Sequence, residues 1–283
     1  MEVCFLGTGT PSPDPLRCGS GVAVISRDAS WVLVDCGRGV THRALEAGLD
    51  LGSLIAVLLT HHHSDHVSDL ATLAITRFVA GAPSALRVVA PAGPCRRFAE
   101  TCLDGFEDQA FYSQRTAGVS ERPAVGAQGF VPSIAPARVL GEGGWVVLSA
   151  QVDHGPIESA TGYRIELDGL AVAVSGDTVV CDGIRNLASG VDLLVHEALL
   201  SERSSAEALA WNASACSVGS LANDAQVGQL ALTHLLPTPR GEGEERLFVE
   251  EARSGGFTGR IDAVSDLDRM SVGVRGNHNL RRR

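Results

Sequence analysis

Short apolar runs alternate with polar, glycine- and proline-rich joints along the chain. Val3–Leu6, Val22–Ile25, Trp31–Val34, Leu54–Leu59, Leu86–Ala90, Trp145–Val152, Thr161–Leu167, Leu170–Val174, Val191–Val195, Val227–Leu232 and Gly259–Val264 are each four to eight residues long, the length of buried strands. Arg38–Gly48, Val67–Val79, Cys95–Leu103, Cys181–Ala188 and Glu242–Arg253 read as helices, the first closed by Gly48, where a left-handed cap costs little. Two hairpins are expected, one across Arg27–Ser30 and one across Asp168-Gly169. Strands interleaved with helices predict a layered α/β fold. Residues 104–144 mix Gly, Pro, Gln and charges with only short apolar runs. They read as an irregular insertion over the functional site or as a solvated connector. The chain is read as one domain over residues 1–274, with residues 275–283 a frayed tail.

Composition narrows the function classes. With 283 residues and 45% apolar content there is enough material for a substantial core. No run approaches the roughly 18 apolar residues of a membrane helix, and no basic segment followed by an apolar stretch marks a signal peptide. The seven Cys (4, 18, 36, 95, 102, 181 and 216) are odd in number, scattered, and form no Cys-x-x-Cys. They read as reduced thiols of a cytoplasmic protein. All 23 basic residues are Arg, which excludes a Lys nucleophile or Schiff base. The net charge of −10 weighs against a surface built to grip a long nucleic acid.

The chemistry concentrates at strand ends. Leu54–Leu59 runs into Thr60-His61-His62-His63-Ser64-Asp65-His66, which places four His and one Asp within six residues, in the turn between a strand and a helix. Imidazole and carboxylate suit zinc and other borderline divalent metals. In an extended turn His61 and His63 project to one side, and Asp65 and His66 swing to the other as the helix begins, so the segment can feed two adjacent metals. Val152 then precedes His154, Val174 precedes Asp177, Val195 precedes His196 and Leu232 precedes His234. Sites in layered α/β folds form where strand ends converge. The loop Gly7-Thr8-Gly9-Thr10-Pro11 lacks a following Gly-Lys-Ser/Thr, so a nucleotide fingerprint is not expected.

His-x-His-x-Asp-His after an apolar strand resembles the signature of the metallo-β-lactamase fold, a superfamily of mostly dinuclear metal hydrolases. Gly7-Thr8-Gly9-Thr10-Pro11, Gly162-Tyr163-Arg164, Ser175-Gly176-Asp177-Thr178 and Asp192–Ala198 are similar to the ribonuclease Z and arylsulfatase-like branch. The resemblance implies a four-layer αββα sandwich. It implies one Zn2+ on His61, His63 and His154, a second on Asp65, His66 and His234, and Asp177 bridging both, with Mn2+ or Fe2+ as alternatives. Asp35 would support the metal loop without ligating. Asp65 and His196 would be the catalytic groups, His196 beside the metals assisting the leaving group. Glu197 is left as either the residue that orients His196 or a surface carboxylate. The reaction implied is phosphodiester hydrolysis by a metal-bridging hydroxide. Sulfatase, lactonase or β-lactamase activity and a non-catalytic metal-binding domain are the rivals. The branch commonly has a further His after the His-Glu-Ala segment, where this chain reads Trp211-Asn212-Ala213-Ser214-Ala215. No Gly/Pro-rich basic arm is visible either. With the acidic charge, these departures favour a small anionic ester over tRNA as the partner, with no membrane; the sequence leaves the oligomeric state open, a homodimer being one assembly it allows.

Overall fold

In a computed structural model describing residues 1–82, 85–106 and 122–273, the apolar runs pair into two seven-stranded sheets. The first contains β1 (Glu2–Gly7), β2 (Gly21–Ile25), β3 (Trp31–Val34), β4 (Leu54–Leu58), β5 (Leu86–Pro91), β6 (Val125–Phe130) and β14 (Arg269–Ser271), with β14 beside β1 and the rest in chain order. The second contains β7 (Ala137–Glu142), β8 (Trp145–Gln151), β9 (Thr161–Leu167), β10 (Leu170–Val174), β11 (Leu193–Leu199), β12 (Gln229–Leu236) and β13 (Arg260–Ala263), again in chain order. Helices α1 (Val40–Glu46), α2 (Ser64–Val67), α3 (Leu70–Val79) and α4 (Pro94–Thr101) follow strands of the first sheet. Helices α5 (Asp182–Ala188), α6 (Ala206–Trp211), α7 (Ala215–Asp224) and α8 (Glu242–Ser254) follow strands of the second.

Three apolar interfaces separate four layers. Val3, Phe5, Val22, Val34 and Leu58 meet Val147, Tyr163, Ile165, Val172 and Val195 between the sheets. Leu33, Val57 and Leu59 face Val40, Leu70, Leu73 and Cys95 on the outer side of the first sheet. Ala173, Leu194 and Leu230 face Leu187, Leu221 and Phe248 outside the second. Central strands are therefore covered on both faces, which is why they read as continuous apolar runs and not as an alternation. Each large apolar side chain fully buried this way contributes about 1.5–3 kcal/mol. This is the four-layer αββα sandwich expected from the sequence. No helix among the described residues is long and apolar enough to cross a membrane.

Both expected hairpins form. In the second, Asp168 (φ 53°) and Gly169 (φ 76°) both adopt positive φ, as a tight turn matched to strand twist requires. Two elements differ from the sequence reading. The segment 104–144 is not an irregular insertion throughout, because β6 and β7 lie within it, one at an edge of each sheet. Edge strands are half solvated and carry little apolar signal. Residues 107–121 of that segment and the expected frayed tail 275–283 lie outside the described residues. The Ala- and Ser-rich stretch after β11 forms α6 and α7. Their starts are marked by Ser205 and Ser214, whose hydroxyls accept from Ala208 N and Ser217 N at 3.1 Å.

The parallel strands of the two sheets end at one edge of the sandwich. There Thr161 N donates to Thr60 O (3.0 Å) and the Tyr163 hydroxyl donates to Leu59 O (2.6 Å), stitching the second sheet to the loop after β4.

Candidate metal centre

The loop after β4 is held from behind before it presents any ligand. Asp35, at the end of β3 with φ 61°, accepts from Thr60 N (2.8 Å), from the Thr60 hydroxyl (2.9 and 3.0 Å) and from His66 Nδ1 (2.7 Å). Asp tolerates this left-handed conformation better than most residues. Ser20 N donates to Asp65 O (2.9 Å), and Cys36 N donates to His66 O (2.7 Å). Asp65 O lies so close to Gly37 that a side chain there would overlap it. The glycine-rich segments thus pack backbone on backbone under the metal loop.

These supports also choose the histidine tautomers. The single Thr60 hydroxyl proton points to Asp35, so His61 Nδ1–H donates to Thr60 Oγ1 (3.0 Å) and its Nε2 carries a lone pair. His66 Nδ1–H donates to Asp35, and His154 Nδ1–H donates to Trp211 O (3.0 Å). In all three rings Nε2 is turned away from these supports and aimed inward, and in His61 it carries the lone pair.

Those nitrogens converge with the other expected ligands into two adjoining groups: His61, His63, His154 and Asp177, and Asp65, His66 and His234. In the first, His63 Nδ1 lies 2.9 Å from His61 Nε2 and 3.3 Å from His154 Nε2. In the second, Asp65 Oδ2 lies 3.3 Å from His234 Nε2 and 3.6 Å from His66 Nε2. Asp177 Oδ2 stands between them, 3.5 Å from His66 and from His234 and 3.9 Å from His154. A third group joins Glu197 to Asp177 and His234.

The donor set fits divalent cations. In the first group His61 Nε2, His154 Nε2 and His63 Nδ1 face one point, and one proton cannot serve both short contacts. In the second, His66 Nε2 is buried and hydrogen-bonded to nothing, although two carboxylates flank it. The titration behaviour follows. Burial, then the neighbouring His66, holds His61 well below the ordinary imidazole range. Burial opposes charge on His66, but the carboxylates of Asp177 and Asp35 outweigh it and hold His66 well above. Burial likewise opposes ionisation of Asp177, and His234 and His66 overcome it. Buried imidazoles and carboxylates that depend on each other for charge suit a positive centre.

His234 reaches this cluster through an irregularity. Glu197 pairs with Thr233 and Ala198 with Leu235, so His234 is an extra residue on β12, with φ 47°. Leu230 and Leu232 face the outer helices, and simple alternation would send position 234 the same way. The bulge resets the alternation, Leu235 takes the helix-facing place, and the imidazole turns to the site.

On β11 no extra residue intervenes, and the strand's alternation sets where His196 points. Leu194 and Ala198 face the helices, and His196 shares their side of the strand. It is fully buried, donates from Nδ1 to Glu197 O (2.8 Å), and belongs to none of the three groups. Burial pushes its pKa down to about 4. The Glu197 carboxylate takes the side of Leu193 and Val195 instead, at 1% exposure, so it is not a surface group, and it is the Glu197 backbone carbonyl that holds the His196 ring. Its Oε1 accepts from Thr178 N (2.6 Å), Oε2 has no partner, and burial with the charge of Asp177 holds its pKa well above the carboxylate range. The two-residue strand period was the signal available in the sequence, but apolar residues on both faces hid which parity faces the site.

A sequence profile described as a β-lactamase superfamily domain matches residues 30–235. The Ribonuclease Z of Mycobacterium bovis (strain BCG / Pasteur 1173P2) is 35% identical over 283 residues, covering 96% of this chain and 98% of that protein. The chain belongs to the β-lactamase superfamily, in its ribonuclease Z branch. As a member of that branch it is a metal-dependent hydrolase. Among solved structures, the metallo-β-lactamase fold protein YhfI from Bacillus subtilis matches with TM-score 0.73 and 21% identity, covering 95% of this chain and 98% of that one. Human tRNase Z, short form, matches with TM-score 0.72 and 21% identity, covering 97% and 100%. Both confirm the fold.

Membership in the ribonuclease Z branch overturns the expectation that a small anionic ester is a better partner than tRNA. Net charge is a sum over all residues, and here Asp35, Asp65, Asp177 and Glu197 are buried in the cluster and contribute nothing to the exposed surface. The whole-chain value therefore overstates how acidic a substrate finds the protein.

Proposed function

We propose that the chain is a dinuclear zinc phosphodiesterase of the ribonuclease Z kind, with tRNA as its substrate class. The observation that carries the reading is the sharing of Asp177, whose Oδ2 lies 3.5 Å from His66 Nε2 and His234 Nε2 and 3.9 Å from His154 Nε2. In this reading His61, His63 and His154 would hold one metal and Asp65, His66 and His234 the second, with Asp177 available to either. Zinc suits the imidazole-rich set best, with manganese and iron as substitutes. Such a metal pair supplies a hydroxide nucleophile near neutral pH and neutralises charge gathering on the phosphoryl group.

The remaining work belongs to the chain's own side chains. Asp35, Thr60 and the Trp211 carbonyl hold three imidazoles in the ligating tautomer. Asp65, kept ionised by His234 and His66 against its burial, would serve both as a ligand and as a proton acceptor at its carboxylate. Glu197 anchors Thr178 N and so orients the adjoining Asp177. His196 takes no chemical part. The chain acts as one domain over residues 1–274, in the cytoplasm, where its seven unpaired cysteines stay reduced.

Elemental analysis of zinc-supplemented protein should give two metals per chain, and the same preparation should cleave tRNA carrying an unpaired extension. Asp177→Ala should lower both occupancy and rate. Turnover of a lactone, β-lactam or sulfate ester with RNA left intact would reject the RNA reading. Full metal loading with no turnover of any substrate would make this a binding domain.

A further inference from the structure

A groove of about 740 Å3 opens beside the metal cluster, with His154 in its wall. The β6–β7 connection contributes Val131 and Ile134, 83% and 57% exposed, and Ile157 lines the groove as well. The charged groups in the lining are all acidic: Asp153, Glu158 and Asp182, with no Arg among them. Among the described residues none of the three forms an ion pair, and only Asp153 is engaged, by Gly155 N at 3.3 Å. Two solvent-facing branched side chains and two unengaged carboxylates thus stand next to a ligand of the cluster.

We propose that this groove seats the nucleobase adjoining the scissile phosphodiester and selects cytosine or adenine, whose exocyclic amines replace the carbonyl oxygen of uracil. The inference rests on the RNA phosphodiesterase reading above. Carboxylates repel phosphate, so the groove disfavours the RNA backbone, which is left to the adjoining metal cluster that shares His154 with the groove. Apolar walls suit the flat face of a base. Glu158 and Asp182 are acceptors only, and they match the N4 amine hydrogens of cytosine and the N6 amine hydrogens of adenine. Uracil offers a carbonyl oxygen at the corresponding position, which would meet a carboxylate with no proton between them. Discrimination of this kind in a formed base contact is roughly 10- to 100-fold.

A reporter is built in. Trp211 packs so closely on Gly155 that a side chain on that glycine would overlap the indole, and Gly155 also lines the groove. Trp211 is 38% exposed, whereas Trp31 and Trp145, the other two tryptophans, are buried. Quenching by a seated base therefore falls on one fluorophore.

The test titrates zinc-loaded protein with cytidine, adenosine and uridine, which carry no phosphate, and follows tryptophan fluorescence. In parallel it measures cleavage of short RNAs that differ only by C or U at the nucleotide flanking the cleaved bond, with a bis-nitrophenyl phosphate diester as the base-free control. Cytidine and adenosine should bind at least about 10-fold more tightly than uridine, and C-bearing RNA should be cleaved faster by a similar factor. The double variant Glu158→Gln, Asp182→Asn should keep metal content and turnover of the chromogenic diester while losing the preference. Equal binding of cytidine and uridine, binding of neither, or a preference that survives the double variant overturns the proposal. Loss of all diester turnover in the wild type rejects the phosphodiesterase reading instead, and the nucleoside titration still decides the groove.

Discussion

His196 and Glu197 are adjacent in the chain and face opposite sides of β11, so the sheet's pleat decides which of them meets the cluster. The buried His196 is then a stability element, and its effect depends on pH. In the unfolded chain its imidazole takes up a proton near 6.5, whereas in the fold burial delays protonation to about 4. The unfolded state therefore binds more protons in that window, and stability falls as pH drops through it, by about 3 kcal/mol at the acid end. His196→Asn keeps an N–H for the Glu197 carbonyl and cannot be protonated. Urea unfolding at pH 7 and at pH 4.5 should show the variant losing less stability than the wild type between the two. Parallel losses in both proteins would show that His196 is not held neutral. Metal content of the variant should be unchanged, because His196 ligates nothing in the arrangement described.

At the scale of elements, supports that look like loops in the sequence set the geometry of the cluster. The extra residue on β12 turns His234 inward, and a strained backbone at a functional side chain is a common way to store such orientation. The glycine-rich loop before β2 is clamped by Arg17, which is buried and donates to Thr8 Oγ1 (2.8 Å), Val264 O (2.9 Å), Ser265 Oγ (3.0 Å) and Glu245 Oε1 (2.9 Å). This one side chain ties the loop behind Asp65 to α8 and to the end of β13. Arg17→Met should destabilise the protein by roughly 3–5 kcal/mol, because four acceptors, the buried Glu245 carboxylate among them, lose the guanidinium together. A shift in the denaturation midpoint worth less than about 1 kcal/mol would mean that the clamp is dispensable.

At the scale of the whole molecule, the two sheets divide the donor set, four residues from the first and three from the second. His61, His63, Asp65 and His66 follow β4 of the first sheet, and His154, Asp177 and His234 come from the second. Ions held there would cross-link the sandwich at one edge, on top of the apolar interface between the sheets. Binding to the folded state alone adds about 2.7 kcal/mol per site at a hundredfold excess over Kd, hence about 5 kcal/mol for two sites. In a chain of this size that is a rise in Tm of about 10 °C or more. Differential scanning calorimetry with saturating zinc and then with chelator should show the shift and its reversal as a single transition. An unchanged Tm, or melting of one half alone, would contradict a site shared between the sheets.

The amino-acid order determined what local chemistry can determine. Apolar runs of strand length alternating with helices specify the layers, and a His/Asp segment directly after a buried strand specifies a metal loop, because both are written in contiguous residues. Ligand-type residues at later strand ends were legible for the same reason, and His154, Asp177 and His234 do meet the cluster. What only the tertiary structure decided was direction. A strand buried on both faces carries no alternation to show which parity looks inward, so His196 and Glu197 could not be told apart until the outer helices packed on one side. The edge strands β6 and β7 were hidden because half-solvated strands need few apolar residues. The ribonuclease Z branch was legible in short motifs, yet net charge pointed away from RNA, since a sum over the chain does not know which carboxylates the fold has turned inside.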